Sequence, residues 1–104
     1  MKIYISGQIS GLPLDEVKAK FQDAEKRIVE HGYVAVNPLK NGIPDTESWE
    51  VHMAADIVLL LDCDAIYMLP GWESSKGATL EKNIAERTGK MIIHYQEQQK
   101  LILK

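Results

Sequence analysis

The sequence has little that would place it in a membrane, bind it to a polyanion or cross-link it. Its longest apolar run, 57–61, is far shorter than the roughly 20 residues that a membrane-spanning helix needs. A net charge of -3 gives no general attraction to polymeric nucleic acid or to anionic lipid. The single Cys63 cannot form an intrachain disulfide, and its acidic neighbours Asp62 and Asp64 favour an inert, packed thiol. Because the chain opens on a strand pattern rather than a signal peptide, we expect a cytoplasmic protein.

Signatures of metals and common cofactors are missing as well. The histidines His31, His52 and His94 lie far apart, without the spacing of a metal site. The loop 7–11 lacks the full glycine pattern of a dinucleotide-binding turn, and the pair 76–77 lacks the glycine framing of a P-loop. We therefore expect neither a metal nor a cofactor.

The size indicates one domain that spans residues 1–104. With 45% hydrophobic and 26% charged residues, the composition is that of an ordinary globular chain, without repeats or linkers. A chain of 104 residues is small for an enzyme that must enclose its substrate alone. A homodimer or a larger homo-oligomer is therefore expected.

Strand and helix patterns alternate strictly along the chain. We predict strands at 2–6, 33–36, 65–69 and 91–95, and helices from 14 to a stop at 31–32, from 46 or 48 to 61, and from 75 to 89. This alternation predicts a three-layer α/β sandwich with a parallel sheet of four or five strands, and we adopt the flavodoxin-like order 2-1-3-4(-5) as the hypothesis for that sheet. The tail from Gln96 is ambiguous, because residues 101–103 could form a short fifth strand or dock on a partner.

The predicted strand order also predicts where a ligand binds. In such sheets the ligand lies beyond the carboxyl ends of the strands, at the point where the strand order reverses. Here that point lies between the first and third strands, where the loops 7–13 and 70–75 meet. Both loops carry glycine, so the turn residues and the predicted strand order indicate the same crevice.

Glu81 is the first candidate for chemistry. In the third helix, helical spacing places it on the face predicted to pack against the sheet, with Ala78, Ile84, Ala85 and Thr88. An ionised carboxylate is costly there unless it is paired, hydrogen-bonded or lines a cavity. Its small neighbours leave space for such a cavity.

Asp56 is the second candidate. It borders the apolar face of the second helix, between Met53 and Leu60, although an ion pair with a lysine or arginine would also explain an acid there. Two carboxylates near one carbon can divide the work, one attacking while the other orients it or handles a proton. That division suits cleavage at the anomeric carbon of a sugar, where positive charge develops.

The loop before the third helix contains further candidates. Ser74 and Ser75 stand where a helix cap belongs, and the first-turn amides could bind a phosphate or carboxylate, although a plain cap is equally consistent. Trp72 could stack on a ring or simply cover the core. Trp49, on an apolar helix face, is interpreted as core.

Several segments together resemble a known family. These are residues 2–7 with Gly11, the Val-Asn-Pro of 36–38, Trp49, Met53 with Asp56, and the long segment 63–81, which contains Pro-Gly-Trp-Glu-Ser-Ser-Lys-Gly-Ala-Thr-Leu-Glu. The chain up to residue 95 resembles a small bacterial and phage family long labelled a domain of unknown function. That family is similar to a compact branch of the nucleoside 2-deoxyribosyltransferase superfamily, and also to the deoxynucleoside 5′-monophosphate N-glycosidases.

The resemblance implies a mechanism and a set of site residues. It implies that Glu81 attacks the anomeric carbon of a 2-deoxyribonucleoside or its 5′-monophosphate, that Asp56 orients Glu81, and that water or a second base resolves the deoxyribosyl ester. It also implies dimers or larger oligomers. The implied substrate contacts are Tyr4, Gly7, Gln8, Ile9, Gly11, Gly71, Trp72, Ser75 and Gly77.

Two departures bear on the substrate. The transferases carry an acidic residue where this chain has Ser75, whereas the glycosidases carry a phosphate-binding serine there. The glycosidases also have an arginine in the loop that is 7–11 here, and this chain has none, so Lys76 could supply the positive charge. Two rival hypotheses are a non-catalytic nucleotide-binding or signalling module, and a structural oligomer whose carboxylates are ion-paired.

Overall fold

A five-stranded sheet forms the centre of the computed structural model, which describes residues 1–95 and the backbone of residues 101–103. The strands are β1 (Lys2–Ser6), β2 (Val34–Val36), β3 (Ala65–Met68), β4 (Met91–Tyr95) and β5 (Leu101–Leu103). Their order is β2-β1-β3-β4-β5. The first four strands are parallel, which confirms the predicted order 2-1-3-4.

The fifth strand departs from the prediction of a wholly parallel sheet. Residues 101–103 do form a strand, but β5 runs antiparallel to β4, with Tyr95 opposite Leu101. The reason is the connection between them, residues 96–100, because a parallel crossover needs about a dozen residues or more. Those five positions and residue 104, which belong to the ambiguous tail, lie outside the described residues.

Helices cover both faces of the sheet and complete the three layers. Helix α1 (Leu14–Glu30) packs on one face, where Val17, Phe21 and Ile28 join a core with the inward side chains of β1 and β3. Helices α2 (Trp49–Leu61) and α3 (Lys76–Arg87) pack on the other face. Two short 3₁₀ turns, Pro38–Lys40 and Trp72–Ser74, precede α2 and α3.

The helix ends follow local chemistry that the sequence shows. Ser48 caps α2 by accepting the amide of Val51, and Ser75 caps α3 by accepting the amide of Ala78. One detail differs from the prediction, because Thr88 is exposed rather than packed against the sheet. Helix α3 has already ended there, and the Thr88 hydroxyl donates a hydrogen bond to the carbonyl of Ile84. No helix in the described part of the chain is long and apolar enough to cross a membrane.

Candidate active site

A cavity of about 720 Å³ opens beyond the carboxyl end of β1. Its walls come from three segments: the loop after β1, the connection between β2 and α2 with the first turns of α2, and the start of α3. The loop 7–10 and residues 74–78 meet there, as the strand order predicts. The connection between β2 and α2 forms the third wall, which the strand order alone does not predict.

Glu81 lies in the wall of this cavity and is held by two hydroxyl groups. Its side chain is only 5% exposed. The Tyr4 hydroxyl donates to Glu81 Oε2 at 2.7 Å, and the Ser6 hydroxyl donates to Oε1 at 2.6 Å. These bonds fix both carboxyl oxygens, so Glu81 is oriented before any ligand arrives.

Burial dominates the protonation of Glu81. Loss of water raises the pKa of its carboxyl group to about 7, and the negative charge of Asp56 acts in the same direction. The hydrogen bonds from Ser6 and Tyr4 oppose this rise, because they favour the charged form. Glu81 therefore changes charge near neutral pH, within the range where a carboxylate can serve as nucleophile or base.

The alternation of β1 explains why two hydroxyls meet Glu81. Tyr4 and Ser6 are two residues apart on one strand, so their side chains point to the same face of the sheet, the face that α3 covers. At the end of the strand, Gly7 allows a close approach to β3. A Cβ atom at Gly7 would lie 3.1 Å from the side chain of Leu69.

Asp56 faces the same cavity from α2 and is held by a different partner. It is 5% exposed, and its Oδ1 accepts a hydrogen bond of 2.9 Å from the side-chain amide of Asn41. Burial raises the pKa of the Asp56 carboxyl group, while the bond from Asn41 lowers it. The side chains of the two acids line the same cavity, from consecutive helices.

The partners of Asn41 define a small network over the cavity. Asn41 Oδ1 accepts the amide of Ile43 at 2.9 Å, which assigns the side-chain nitrogen as the donor to Asp56. That nitrogen also lies 3.3 Å from His52 Nδ1, so Nδ1 is the acceptor and Nε2 donates to the Pro44 carbonyl at 3.0 Å. The network ties the segment 41–44 to α2.

These contacts bear on two interpretations of the acids. Within residues 1–95, neither Asp56 nor Glu81 forms an ion pair with a lysine or arginine, so the ion-paired interpretation has no support there. No hydrogen bond joins the two acids to each other in the same part of the chain. The orientation of Glu81 comes directly from Tyr4 and Ser6, whereas Asp56 acts on it through charge.

Positive charge reaches the cavity from two helices. Lys18 of α1 and Lys76 of α3 both line it, and the Lys76 ammonium lies 4.4 Å from the ring centre of Trp49. Trp49 is 37% exposed and lines the cavity, so its interpretation as a core residue is wrong. It stands at the first position of α2.

The structure brings most of the sequence-predicted site residues together. The cavity lining includes Gly7, Gln8, Ile9, Asp56, Ser75, Gly77 and Glu81. Tyr4 lies beneath it and reaches it through Glu81. Gly11, Gly71 and Trp72 are not part of the lining. Gly71 and Trp72 border a separate depression beside His94, and the Lys82 ammonium lies 5.3 Å from the Trp72 ring centre.

Several cavity residues were not among the predicted contacts. Asn41, His52 and Lys18 carry no motif, and Ser6 appears in the resemblance only as part of the first strand. A weak signal existed for the segment 41–45, because a turn-rich loop of that length suggests a lid over a site. In the described part of the chain, no group of three acidic, histidine or cysteine side chains could hold a metal ion.

Comparison with known proteins places the chain in a family and supports its fold. A family model described as "Domain of unknown function (DUF4406)" matches residues 1–94. The chain belongs to this family. No curated protein matches it. This DUF4406 chain is similar in structure to a Clostridium botulinum CMP N-glycosidase, BcmB, with a TM-score of 0.63 and 20% identity, over 90% of this chain and 67% of that one.

Proposed function

We propose that this chain cleaves the N-glycosidic bond of a 2-deoxyribonucleoside or its 5′-monophosphate, with Glu81 as the nucleophile. The observation that carries the proposal is a buried carboxylate, held by the Tyr4 and Ser6 hydroxyls, in the wall of a cavity of nucleotide size. Two further facts support it. The fold is similar to that of a CMP N-glycosidase, and the sequence resembles the deoxyribosyltransferase superfamily.

The chemistry proceeds in two displacements. In the first, an ionised Glu81 oxygen forms a bond to the anomeric carbon while the bond to the base nitrogen breaks, and the base leaves with the electron pair and takes up a proton. In the second, water attacks the same carbon, loses a proton and releases the Glu81 carboxylate. A second base in place of water gives transfer instead of hydrolysis.

Asp56 is positioned to handle the proton in these steps. Asp56 lines the cavity, and burial raises the pKa of its carboxyl group from the ordinary value, so it takes up a proton more readily than an exposed aspartate. Its hydrogen bond from Asn41 leaves Oδ2 available to a ligand or to water. In this assignment Asp56 serves the proton transfer, and Tyr4 and Ser6 serve the orientation of Glu81.

Charge around the cavity supports a phosphorylated substrate. Lys18 and Lys76 line the cavity from different helices, and the first turn of α3 presents backbone amides beyond its Ser75 cap. An anion near that turn also gains from the helix dipole. The two lysines replace the arginine that the glycosidases carry in the loop after the first strand.

A second candidate function is nucleotide binding without turnover. It is favoured by the loop 7–11, which has no arginine where the glycosidases carry one. A binding module would keep the same cavity and lysines. We also propose that the chain works as a homodimer or larger homo-oligomer, as its small size suggests.

Base release decides between these functions. The chain is incubated with deoxynucleosides and their 5′-monophosphates, and free base is separated by chromatography. We expect release from the wild type and its loss in Glu81→Gln, while Glu86→Gln, on the exposed side of the same helix, retains it. Release that survives in Glu81→Gln would refute the mechanism, and tight binding without release would support the module.

The role of the phosphate has its own variant pair. Lys18→Ala is expected to raise KM for the monophosphates more than for the nucleosides, because only the former offer a phosphate to the ammonium group. Lys26→Ala, on the exposed side of α1, is the matched control and should change neither value. An equal rise in KM for the monophosphates and the nucleosides in Lys18→Ala would show that Lys18 does not bind the phosphate.

A further inference from the structure

His52 and Asp56 lie about one helical turn apart on α2, and the side chain of Asn41 bridges them. Their spacing places both side chains on one face of the helix, the face that lines the cavity. The side-chain nitrogen of Asn41 lies 2.9 Å from Asp56 Oδ1 and 3.3 Å from His52 Nδ1. A primary amide has two hydrogens, so each of these acceptors receives one. We call this pair of hydrogen bonds the Asn41 bridge.

Neighbouring backbone groups fix the direction of both bonds in the Asn41 bridge. The Ile43 amide donates to Asn41 Oδ1 at 2.9 Å, so the side-chain nitrogen of Asn41 is the donor to its other partners. The Pro44 carbonyl, 3.0 Å from His52 Nε2, can only accept a hydrogen bond. The ring hydrogen of His52 therefore lies on Nε2, which leaves Nδ1 as the acceptor for Asn41.

The turn after Asn41 explains why its side chain reaches α2. Gly42 has a φ of 80°, which a glycine adopts without strain, and the turn brings the Ile43 amide to Asn41 Oδ1. The turn holds the oxygen of the Asn41 side chain, and His52 holds the hydrogen that does not point at Asp56. Without the acceptor on His52, the amide group of Asn41 would be held from one side only, and its bond to Asp56 would weaken.

The Asn41 bridge gives the two oxygens of Asp56 different roles. Oδ1 accepts the hydrogen bond from Asn41, so a proton on that oxygen would compete with the N–H group. Within residues 1–95, Oδ2 has no hydrogen-bond partner. A proton taken up by Asp56 therefore belongs on Oδ2.

We propose that His52 is a positioning residue that acts through Asn41 to direct a reaction proton to Oδ2 of Asp56. This inference rests on the function proposed above. In the second displacement, the oxygen of the attacking water forms a bond to the anomeric carbon while the bond from that carbon to Glu81 breaks. The water proton moves to Asp56 Oδ2 and later returns to solvent. His52 contacts neither the sugar nor this proton, because its role is to hold the donor on Oδ1.

These contacts exceed what anchoring of the segment 41–44 requires. The bond from His52 Nε2 to the Pro44 carbonyl already ties that segment to α2, and it does not involve Asp56. The Asn41 bridge adds a buried acid whose pKa is raised by burial and lowered by this one donor. The pH at which Asp56 titrates therefore reports whether the bridge is intact.

Two substitutions of His52 separate the bridge from the anchor. In His52→Asn, the side-chain oxygen stands near the place of Nδ1 and accepts from Asn41, while the bond to Pro44 is lost. In His52→Gln, the side-chain nitrogen stands near the place of Nε2 and donates to Pro44, while the acceptor for Asn41 is lost. His31→Gln is the matched control, at an exposed histidine where α1 ends. All three variants retain the other charged side chains of the cavity lining, which are Lys18, Asp45, Glu47, Lys76 and Glu81.

The first readout is a carbon-13 NMR titration of the Asp56 carboxyl group, which requires no activity. His52→Gln should raise its midpoint by about half to one pH unit, because part of a hydrogen bond to a charged group is lost. His52→Asn and His31→Gln should leave the midpoint unchanged, and circular dichroism verifies that all variants are folded. A midpoint that moves equally in both His52 variants, or in neither, would overturn the proposal.

The second readout is the kcat and KM of base release. His52→Gln should lower kcat roughly tenfold and leave KM within about twofold, because only the proton transfer is impaired. His52→Asn should restore most of kcat. An anchoring role would give the reverse order, with His52→Asn the more damaged variant, and this result would refute the role of His52 in the reaction.

The two readouts also separate this inference from the proposed function. A wild type without base release would refute the proposed function and the proton transfer assigned to Asp56, while the titration decides the bridge in either case. Base release by the wild type, with an Asp56 midpoint that His52→Gln does not change, would refute this inference alone.

Discussion

Replacing Tyr4 by phenylalanine gives a direct measure of how Glu81 is controlled. The Tyr4 hydroxyl donates to Glu81 Oε2 at 2.7 Å, and both side chains are buried. This bond favours the charged carboxylate and so lowers its pKa against the larger effect of burial. Tyr4→Phe removes the donor and keeps the ring, so the pKa of Glu81 should rise further.

The size of the effect follows from the energy of one hydrogen bond. A hydrogen bond to a charged group contributes about 1.5–3 kcal/mol, and about 1.4 kcal/mol corresponds to one pKa unit. The pKa of Glu81 should therefore move from about 7 to between about 8 and 9. At pH 7 the ionised fraction then falls from about one half to between about 9% and 1%, and base release slows roughly five- to fiftyfold.

The assay is a carbon-13 NMR titration of the Glu81 carboxyl group, alongside the pH profile of base release. Both should show the same displacement toward higher pH. Tyr67→Phe is the control, because Tyr67 lies on β3 and packs against α1 on the opposite face of the sheet. A Glu81 titration midpoint that stays near 7 in Tyr4→Phe would refute the reasoning. If the pH profile of base release does not follow the titration, the ionisation of Glu81 does not control the reaction.

Three further predictions concern stability and binding. In Glu81, a folded pKa of about 7 above the ordinary 4.5 means that its contribution to stability is full below pH 4.5 and is lost as the pH rises to 7. The free energy of unfolding of Glu81→Gln, measured in urea, should therefore exceed that of the wild type by about 3 kcal/mol at pH 8 and by little at pH 4. Equal differences at the two pH values would contradict this prediction. Asn41→Ala should lower the free energy of unfolding by about 1–3 kcal/mol, since Asp56 loses its donor, whereas Asn83→Ala on the exposed side of α3 should cost little by the same measurement. Gly77→Ala places a Cβ 3.3 Å from Met53 Sδ, at a place where both residues line the cavity. Calorimetry should therefore show severalfold weaker nucleotide binding without loss of thermal stability. An unchanged Kd for the nucleotide would contradict this prediction.

Much of the fold was accessible from local sequence patterns. The cap at Ser48, the cap at Ser75 and the stop at Gly32 mark helix boundaries that the structure matches within a few residues. The strict alternation of elements predicted parallel strands, and the structure confirms the flavodoxin-like order hypothesised for the first four of them. The direction of the fifth strand was not accessible from its apolar residues alone, because direction depends on the length of the connection.

The candidate site was accessible only in part. Helical spacing placed Glu81 and Asp56 on buried faces, and the structure brings both to one cavity. The partners of these acids were missed, because Tyr4 and Ser6 lie 77 and 75 positions away from Glu81. Asn41 was missed for a related reason, since its loop has no periodicity from which the direction of a side chain could be predicted.

The two tryptophans show the same division. Trp49 is the first residue of α2 and Trp72 is the first residue of a 3₁₀ turn. At the end of a helix or turn, a shift of one residue changes the surroundings of a side chain. The sequence favoured Trp72 for the site and Trp49 for the core, whereas the structure has Trp49 in the cavity lining and Trp72 outside it.

The sequence by itself determined which side chains of each helix and strand turn inward, because that direction depends on a repeat of two or 3.6 residues along one element. Only the tertiary structure decided what each inward side chain meets, because those contacts join segments far apart in the chain. For Glu81 this means that its burial was visible in the sequence of α3. Its two hydroxyl donors, and with them its charge at neutral pH, were set by the packing of α3 against β1.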